Sequence, residues 1–141
     1  MKKSVMFLIG IIYLVSIVIV TFFGMKIAID QFKIYMTSIE ITNYQRVIDG
    51  EKYIILTFDD VQGYSSLFID YETGPDSATE QEKISFRISG NEFVDGEGNR
   101  SVYATVSQIG EVTFTRRGHV VVTVLTEDGS HLSDSVNILC R

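Results

Sequence analysis

Cysteine occurs once in the 141 residues, as Cys140 beside the C-terminus, so no internal disulfide can form. That excludes a small secreted scaffold stapled by disulfides. Cys140 continues the alternation of Val136 and Ile138, which predicts an inward, apolar thiol, with a reactive or intermolecular thiol as the alternative. Histidine occurs twice, as His119 and His131, and neither has a Cys or His partner at metal-site spacing, so both are expected at the surface. Proline occurs once, in the turn cluster Gly74-Pro75-Asp76-Ser77. No Ser, Cys or Lys stands in a nucleophile motif, and no glycine loop opens a helix. No catalytic residue, cofactor-binding residue or metal ligand is therefore assigned, no cofactor is expected, and the chain is not read as an enzyme.

Negative charge is absent from the first 29 residues. Lys2, Lys3 and Lys26 are the charged side chains before Ile27; from there on, nine Lys and Arg meet eighteen Asp and Glu, a net of −9 against −6 for the whole chain. A body this acidic repels nucleic-acid phosphates and anionic headgroups, so nucleic acid is not an expected partner. The charge serves either a solvated, soluble surface or an acidic patch for a cation or a basic partner.

Charge of either sign is missing from Val5 to Phe23, VMFLIGIIYLVSIVIVTFF, whose polar side chains are Tyr13, Ser16 and Thr21. At about 1.5 Å per residue this run reaches roughly 28 Å, close to the ~30 Å hydrocarbon layer of a bilayer. In lipid the backbone must satisfy its own hydrogen bonds, so a lone segment of this kind is a helix. A secretory leader has a shorter apolar run ending in small residues. This one ends in Thr21-Phe22-Phe23-Gly24-Met25-Lys26, so an uncleaved single-pass anchor is expected. Lys2, Lys3 and the α-amino group precede it, and Lys26 and Lys33 follow with Asp30 between them. That balance favours the N-terminus in the cytoplasm and the C-terminal domain outside. Gly10 and Ser16 are too sparse for a small-residue dimer face. Lys26 to Tyr35 mixes helical and alternating spacing, and either extends the helix or forms an interfacial stalk. The expected division is a cytoplasmic tip and anchor over 1–26, a stalk over 27–37 and a β domain over 38–141.

Beyond Tyr35 the apolar period becomes two. Ile39 and Ile41 alternate with Glu40 and Thr42, and Tyr53 to Phe58 is β-branched and aromatic. Asp49-Gly50 supplies a turn before that strand, and Ser65 to Tyr71 reads as another strand. Ile84, Phe86 and Ile88 face in while Lys83, Ser85 and Arg87 face out. Gly90 to Asn99 reads as a polar, glycine-rich loop. Tyr103–Ser107, Val112–Phe114, His119–Thr126 and Leu132–Ile138 follow as strands, with His119–Thr126 central and the Glu127-Asp128-Gly129-Ser130 turn after it. About eight strands at regular spacing, with no helical pattern outside the anchor, predict an all-β antiparallel sandwich. The predicted inward set is Leu56, Phe58, Phe68, Ile84, Phe86, Val112, Phe114, Val120, Val122, Val124, Val136 and Ile138.

In order along the chain stand Pro75-Asp76-Ser77-Ala78-Thr79, Lys83-Ile84-Ser85-Phe86, Ala104-Thr105-Val106 and Ile109-Gly110-Glu111-Val112-Thr113-Phe114. After them come Gly118-His119-Val120-Val121-Val122-Thr123-Val124, Asp128-Gly129-Ser130 and Ser135-Val136-Asn137-Ile138. Their order and spacing resemble the bacterial immunoglobulin-like domains of the Big-2 type over residues 75–138, about half of the chain. Two departures stand out: the usual tryptophan is Phe86, and the Gly90–Ser101 loop is longer and more acidic. The resemblance implies an Ig-like β-sandwich serving as an adhesive, spacer or display module, and names no ligand.

Four further groups of residues bear on chemistry. Asp95-Gly96-Glu97-Gly98-Asn99 has oxygen ligands at alternate positions, as a calcium loop has, but lacks the later bidentate glutamate; a glycine-rich turn is the other reading. Asp59, Asp60, Asp70 and Glu72 could form a second acidic cluster, or be solvated singly. Arg116-Arg117 reads as a solvated turn pair, and Asn99-Arg100-Ser101 fits a glycosylation sequon that matters only in a eukaryotic secretory pathway. The functional expectation is a membrane-anchored binding, display or structural module at the bacterial cell surface, whose partner is another envelope protein or cell-wall material. The alternative is a small accessory subunit of an integral membrane complex, with the β domain as an extracytoplasmic cap.

Overall fold

The computed structural model describes residues 2–141, and the side chains of all of these but 25–31. Helix α1 runs from Lys3 to Gln31. Over Val5 to Phe23 its apolar side chains are exposed on every side. The Ser16 hydroxyl donates to the Ile12 carbonyl at 2.8 Å, and the Thr21 hydroxyl to the Ile17 carbonyl at 2.7 Å. Both hydroxyls are thus satisfied inside the helix, as an apolar solvent demands. Ile and Val are moderate helix formers in water, but the stretch Lys3–Gly24 is long and apolar enough to cross a membrane.

A separate compact unit extends from Tyr35 to Arg141. Its strands are β1 (Ser38–Ile41), β2 (Arg46–Ile48), β3 (Glu51–Leu56), β4 (Ser65–Phe68), β5 (Tyr71–Gly74) and β6 (Ile84–Ser89). Then follow β7 (Glu92–Val94), β8 (Arg100–Val102), β9 (Ala104–Val106), β10 (Glu111–Phe114), β11 (Gly118–Thr126) and β12 (Ser133–Cys140). One sheet has the order β2-β3-β12-β11-β6 and the other the order β4-β10-β9, while β1–β5 and β7–β8 form two-stranded pieces. With β4, β10 and β9 as strands B, E and D, and β6, β11 and β12 as C, F and G, this is the strand order of an Ig-like sandwich. Strand β11 lies between β12 and β6. The ladder between β3 and β12 runs parallel, a feature that alternation alone does not reveal, because inward facing is the same for either strand direction.

Inward-facing residues of the two sheets make the core. On β11, Val120, Val122, Val124 and Thr126 are buried, while Val121, Thr123 and Leu125 between them are half-buried. Val136, Ile138 and Cys140 continue that layer on β12, and Ala104, Val112 and Phe114 meet it from the opposite sheet. Each such aliphatic or aromatic side chain stabilises the fold by about 1.5–3 kcal/mol. The Cys140 thiol faces inward, as its alternation implies.

Two expectations fail. Phe68, predicted inward, is 52% exposed, and Ile69 at 4% takes its place. The cause is register: Ser65 is buried and Leu67 half-buried in β4, so Ile69 continues the inward row and Phe68 points away from it. The expected single strand Ser65–Tyr71 therefore breaks at Ile69-Asp70. Ile69 N–H still bonds Gly110 O at 2.9 Å, but Asp70 O takes the Thr42 N–H at 2.9 Å, and the chain changes sheets between them. The second failure is the Gly90–Asn99 loop. Its first half is β7, paired with β8 from Glu92↔Val102 to Val94↔Arg100. Phe93 holds this ribbon down, its ring centroid 6.1 Å from that of Tyr103 and 4.8 Å from the Arg116 guanidinium.

Two glycines are fixed by close approach. A Cβ on Gly118 would stand 2.3 Å from the Tyr103 ring, and one on Gly110, where φ is +83°, would stand 2.7 Å from the Phe86 ring.

Candidate functional surfaces

A dense set of side-chain bonds lies where the chain enters the domain. Met36 is 2% exposed, and its N–H donates to Asp128 Oδ2 at 2.7 Å. Asp128 is itself buried in the turn between β11 and β12, where Oδ1 accepts the Ser130 N–H at 2.9 Å and the Ser130 hydroxyl at 2.5 Å. Burial pushes this carboxyl up, but the bonds from Met36 and Ser130 outweigh it and hold its pKa at about 2. Five residues on, the Ile41 N–H donates to Asp134 Oδ2 at 2.7 Å. The Lys52 ammonium reaches the same oxygen at 2.6 Å, the Ile41 carbonyl at 3.1 Å and Glu40 at 3.3 Å. Burial raises the Asp134 carboxyl, and the Lys52 and Ile41 donors bring it below its ordinary value. Burial lowers Lys52, and Asp134 and Glu40 more than reverse that. The ammonium also offsets a like-charge pair, since Glu40 sits opposite Glu72 in the β1–β5 ladder.

The solvent face of the five-stranded sheet carries a second network. The Asn137 amide donates to Glu51 Oε2 at 3.1 Å, which also accepts the Tyr53 hydroxyl at 3.1 Å. Asn137 Oδ1 lies 3.1 Å from His119 Nε2, and Thr123 and Ser135 share a hydroxyl bond of 2.8 Å. Glu51, Asn137 and Ser135 line a shallow hollow of about 380 Å³ there. The register explains the grouping, because Asn137 pairs with Tyr53 on one side and Val121 on the other. Apart from the sandwich strands' own pairing, a groove of about 430 Å³ runs between Ile84–Phe86 of β6 and Val106–Gln108 at the end of β9.

The residues singled out by sequence fall as follows. Asp95 is consumed by its own turn: Oδ1 accepts the N–H groups of Glu97 (2.9 Å) and Asn99 (2.8 Å), and Oδ2 the Asn99 amide (3.2 Å). These bonds hold its carboxyl below the ordinary range and make the segment an Asx-type turn. Asp59 likewise accepts the Val61 and Gln62 N–H groups, while Asp60 pairs with Arg117 at 2.5 Å. Asp70 precedes β5, its carbonyl taking the Thr42 N–H, and Glu72 lies in β5 opposite Glu40, so the structure does not gather the four. Among the described residues no group of three or more His, Cys, Asp and Glu converges as a cation site. His119 and His131 are exposed, the latter with φ of 56° in its turn. Arg116 and Arg117 are more than a solvated pair: Arg116 lies over Phe93, and Arg117 lies 5.1 Å from the Phe58 ring centroid. Sequence reading missed Asp128 and Asp134 as anchors, since their partners, Met36 and Ile41, are more than ninety positions away.

Fold and surfaces together define an Ig-like β-sandwich preceded by one apolar helix. No protein-family model matches the chain, and no curated protein is significantly similar to it. Among solved structures, a crystal structure of an EHEC O157:H7 intimin mutant is similar, with a TM-score of 0.44 and 17% identity, over 74% of this chain and 47% of that one. The chain thus spans about half the length of the intimin chain it matches.

Proposed function

We infer that the protein is a bacterial single-pass membrane protein that holds one Ig-like domain, of the Big-2 type, outside the cytoplasmic membrane. The N-terminus is cytoplasmic. The domain acts by binding or as a structural module, and meets another envelope protein or cell-wall material. The observation that carries this reading is α1, apolar on every side from Val5 to Phe23, with the Ser16 and Thr21 hydroxyls closed onto its own backbone. Lys2 and Lys3 at its start support this orientation. The Big-2 assignment gains support from the contact between Gly110 and Phe86, which joins two pieces of the sequence resemblance. The Asp59, Asp95, Asp128 and Asp134 carboxylates are engaged in turns and strand anchors, which favours a binding role over catalysis.

The test is protease added to spheroplasts. Digestion of the C-terminal domain without permeabilisation is the expected result, with α1 retained in the membrane after alkaline extraction. A domain protected until permeabilisation would overturn the orientation, and release of the intact chain by alkali would overturn the anchor.

A further inference from the structure

We propose that the open side of strand β6 is a docking site for an extended segment of another protein, one whose residues alternate between aliphatic and acidic. The segment adds to the five-stranded sheet as a further, antiparallel strand. This deepens the binding role inferred above, on which it rests, by naming the chemistry of the partner.

Strand β6 is one of the two free edges of that sheet. The Glu127 N–H donates to the Lys83 carbonyl at 2.7 Å, one position beyond the Thr126↔Ile84 pair. Bonded and non-bonded pairs alternate along an antiparallel ladder, so Ser85, Arg87 and Ser89 exchange bonds with β11. Ile84, Phe86 and Ile88 turn their N–H and C=O groups the other way, to the open side. The Ile84 N–H is taken by the Glu82 carbonyl at 2.9 Å. Phe86 and Ile88 keep both of theirs for a neighbouring strand.

The core is also incompletely covered at this edge. Ile84, Phe86 and Ile88 pack on the core side yet are only half-buried, while Thr126, Val124 and Val122 opposite them on β11 are buried. The reason is that β6 diverges from β9, the edge of the other sheet. At one end the two are stitched together, since the Asn91 amide donates to Ala104 O at 2.9 Å and the Tyr103 N–H to Asn91 O at 3.0 Å. Farther along they part, and the groove of about 430 Å³ opens between Phe86 and Val106. A strand paired with Phe86 and Ile88 sets alternate side chains into this groove, and those must be apolar.

The remaining side chains of such a strand face solvent beside Lys83, Ser85 and Arg87. Lys83 is paired with Glu80 at 2.6 Å, whereas Arg87 is exposed and has no ion pair among the described residues. On the open side Arg87 stands at a non-bonded position, where facing side chains come closest, so an acidic residue fits opposite it. The sheet's other free edge, β2, carries Arg46 on the same face through its pairing with Tyr53. A second copy of this chain is therefore a poor occupant, because either of its free edges brings arginine alongside arginine. Charge on a free edge also deters unwanted pairing, but a purely protective edge needs no groove beneath it.

The test is fluorescence anisotropy with the full chain in detergent micelles and a short labelled peptide of alternating valine and glutamate, read against empty micelles. Saturable binding is expected, about fivefold or more tighter than that of the same peptide with lysine for glutamate. Arg87→Glu is expected to reverse that preference. In the frame set by Phe86 and Ile88, the valine N–H groups face β6 and the glutamate N–H groups face away. N-methylation of the valines is expected to weaken binding about tenfold or more, and N-methylation of the glutamates to be tolerated. Hydrogen exchange over 84–89, followed by mass spectrometry, is expected to slow in the complex. No saturable binding, equal affinity for the two charge forms, equal loss on either methylation, or unchanged exchange over 84–89 would each overturn the proposal. If Arg87→Glu does not fold, the peptide pairs on the unsubstituted chain decide alone. None of these measurements bears on α1 or its orientation, which spheroplast digestion tests separately.

Discussion

The Phe86 ring occupies the space where a Cβ on Gly110 would stand, 2.7 Å away. It thus ties the β9–β10 turn of one sheet to β6 of the other. Gly110 also has φ of +83°, so any side chain there is strained and in collision at once. Gly110→Ala is expected to cost about 1–3 kcal/mol, read from the denaturant midpoint of the full chain in detergent. An unchanged midpoint would refute the contact.

The facing of Phe68 gives a paired test. Phe114 is fully buried, so Phe114→Ala is expected to cost about 3–5 kcal/mol. Phe68→Ala, at a half-exposed position, is expected to stay within about 0.5 kcal/mol. Equal losses would put Phe68 back in the core.

Acid sensitivity follows from the entry strap. Asp128 has a pKa of about 2 in the fold against 3.8 unfolded, and Asp134 is lowered too. A depressed carboxylate contributes stability that is complete above its unfolded value and is lost as pH falls through its folded value. Denaturant midpoints are expected to fall from pH 3.8 down to about 2, and Asp128→Asn is expected to flatten that slope. An identical slope in the variant would remove Asp128 from the account.

Burial raises the pKa of the Cys140 thiol, with Arg117 only partly opposing, and the side chain is enclosed between the sheets. Alkylation by iodoacetamide at neutral pH is expected to be negligible in the folded chain and complete in denaturant, followed by intact mass. Ready modification of the native protein would place the thiol outside the core.

Much of the sandwich is written locally. Val120, Val122 and Val124 show their facing in three alternate positions, and Asp49-Gly50, with φ of 53° and 86°, shows the hairpin before β3. What stays hidden depends on distant partners. Nothing near Phe68 tells that the chain changes sheets one residue later, because the decision belongs to Gly110 and Thr42. The β7 strand is invisible as a polar loop because its one strong anchor, Phe93, is held by Arg116 and Tyr103. The surfaces are less legible still. The acidic residues that look like ligands, Asp95 and Asp59, serve their own turns, while Asp128, which looks like a turn residue, and Asp134, which falls in an expected strand, hold the entering chain.

The parallel course of β3 beside β12 also limits how the chain can be rewired. An antiparallel closing pair would leave the domain's beginning and end side by side, ready to be joined. Here a circular permutant must bridge the length of a strand, so a splice of roughly eight extended residues is the shortest that closes without distortion.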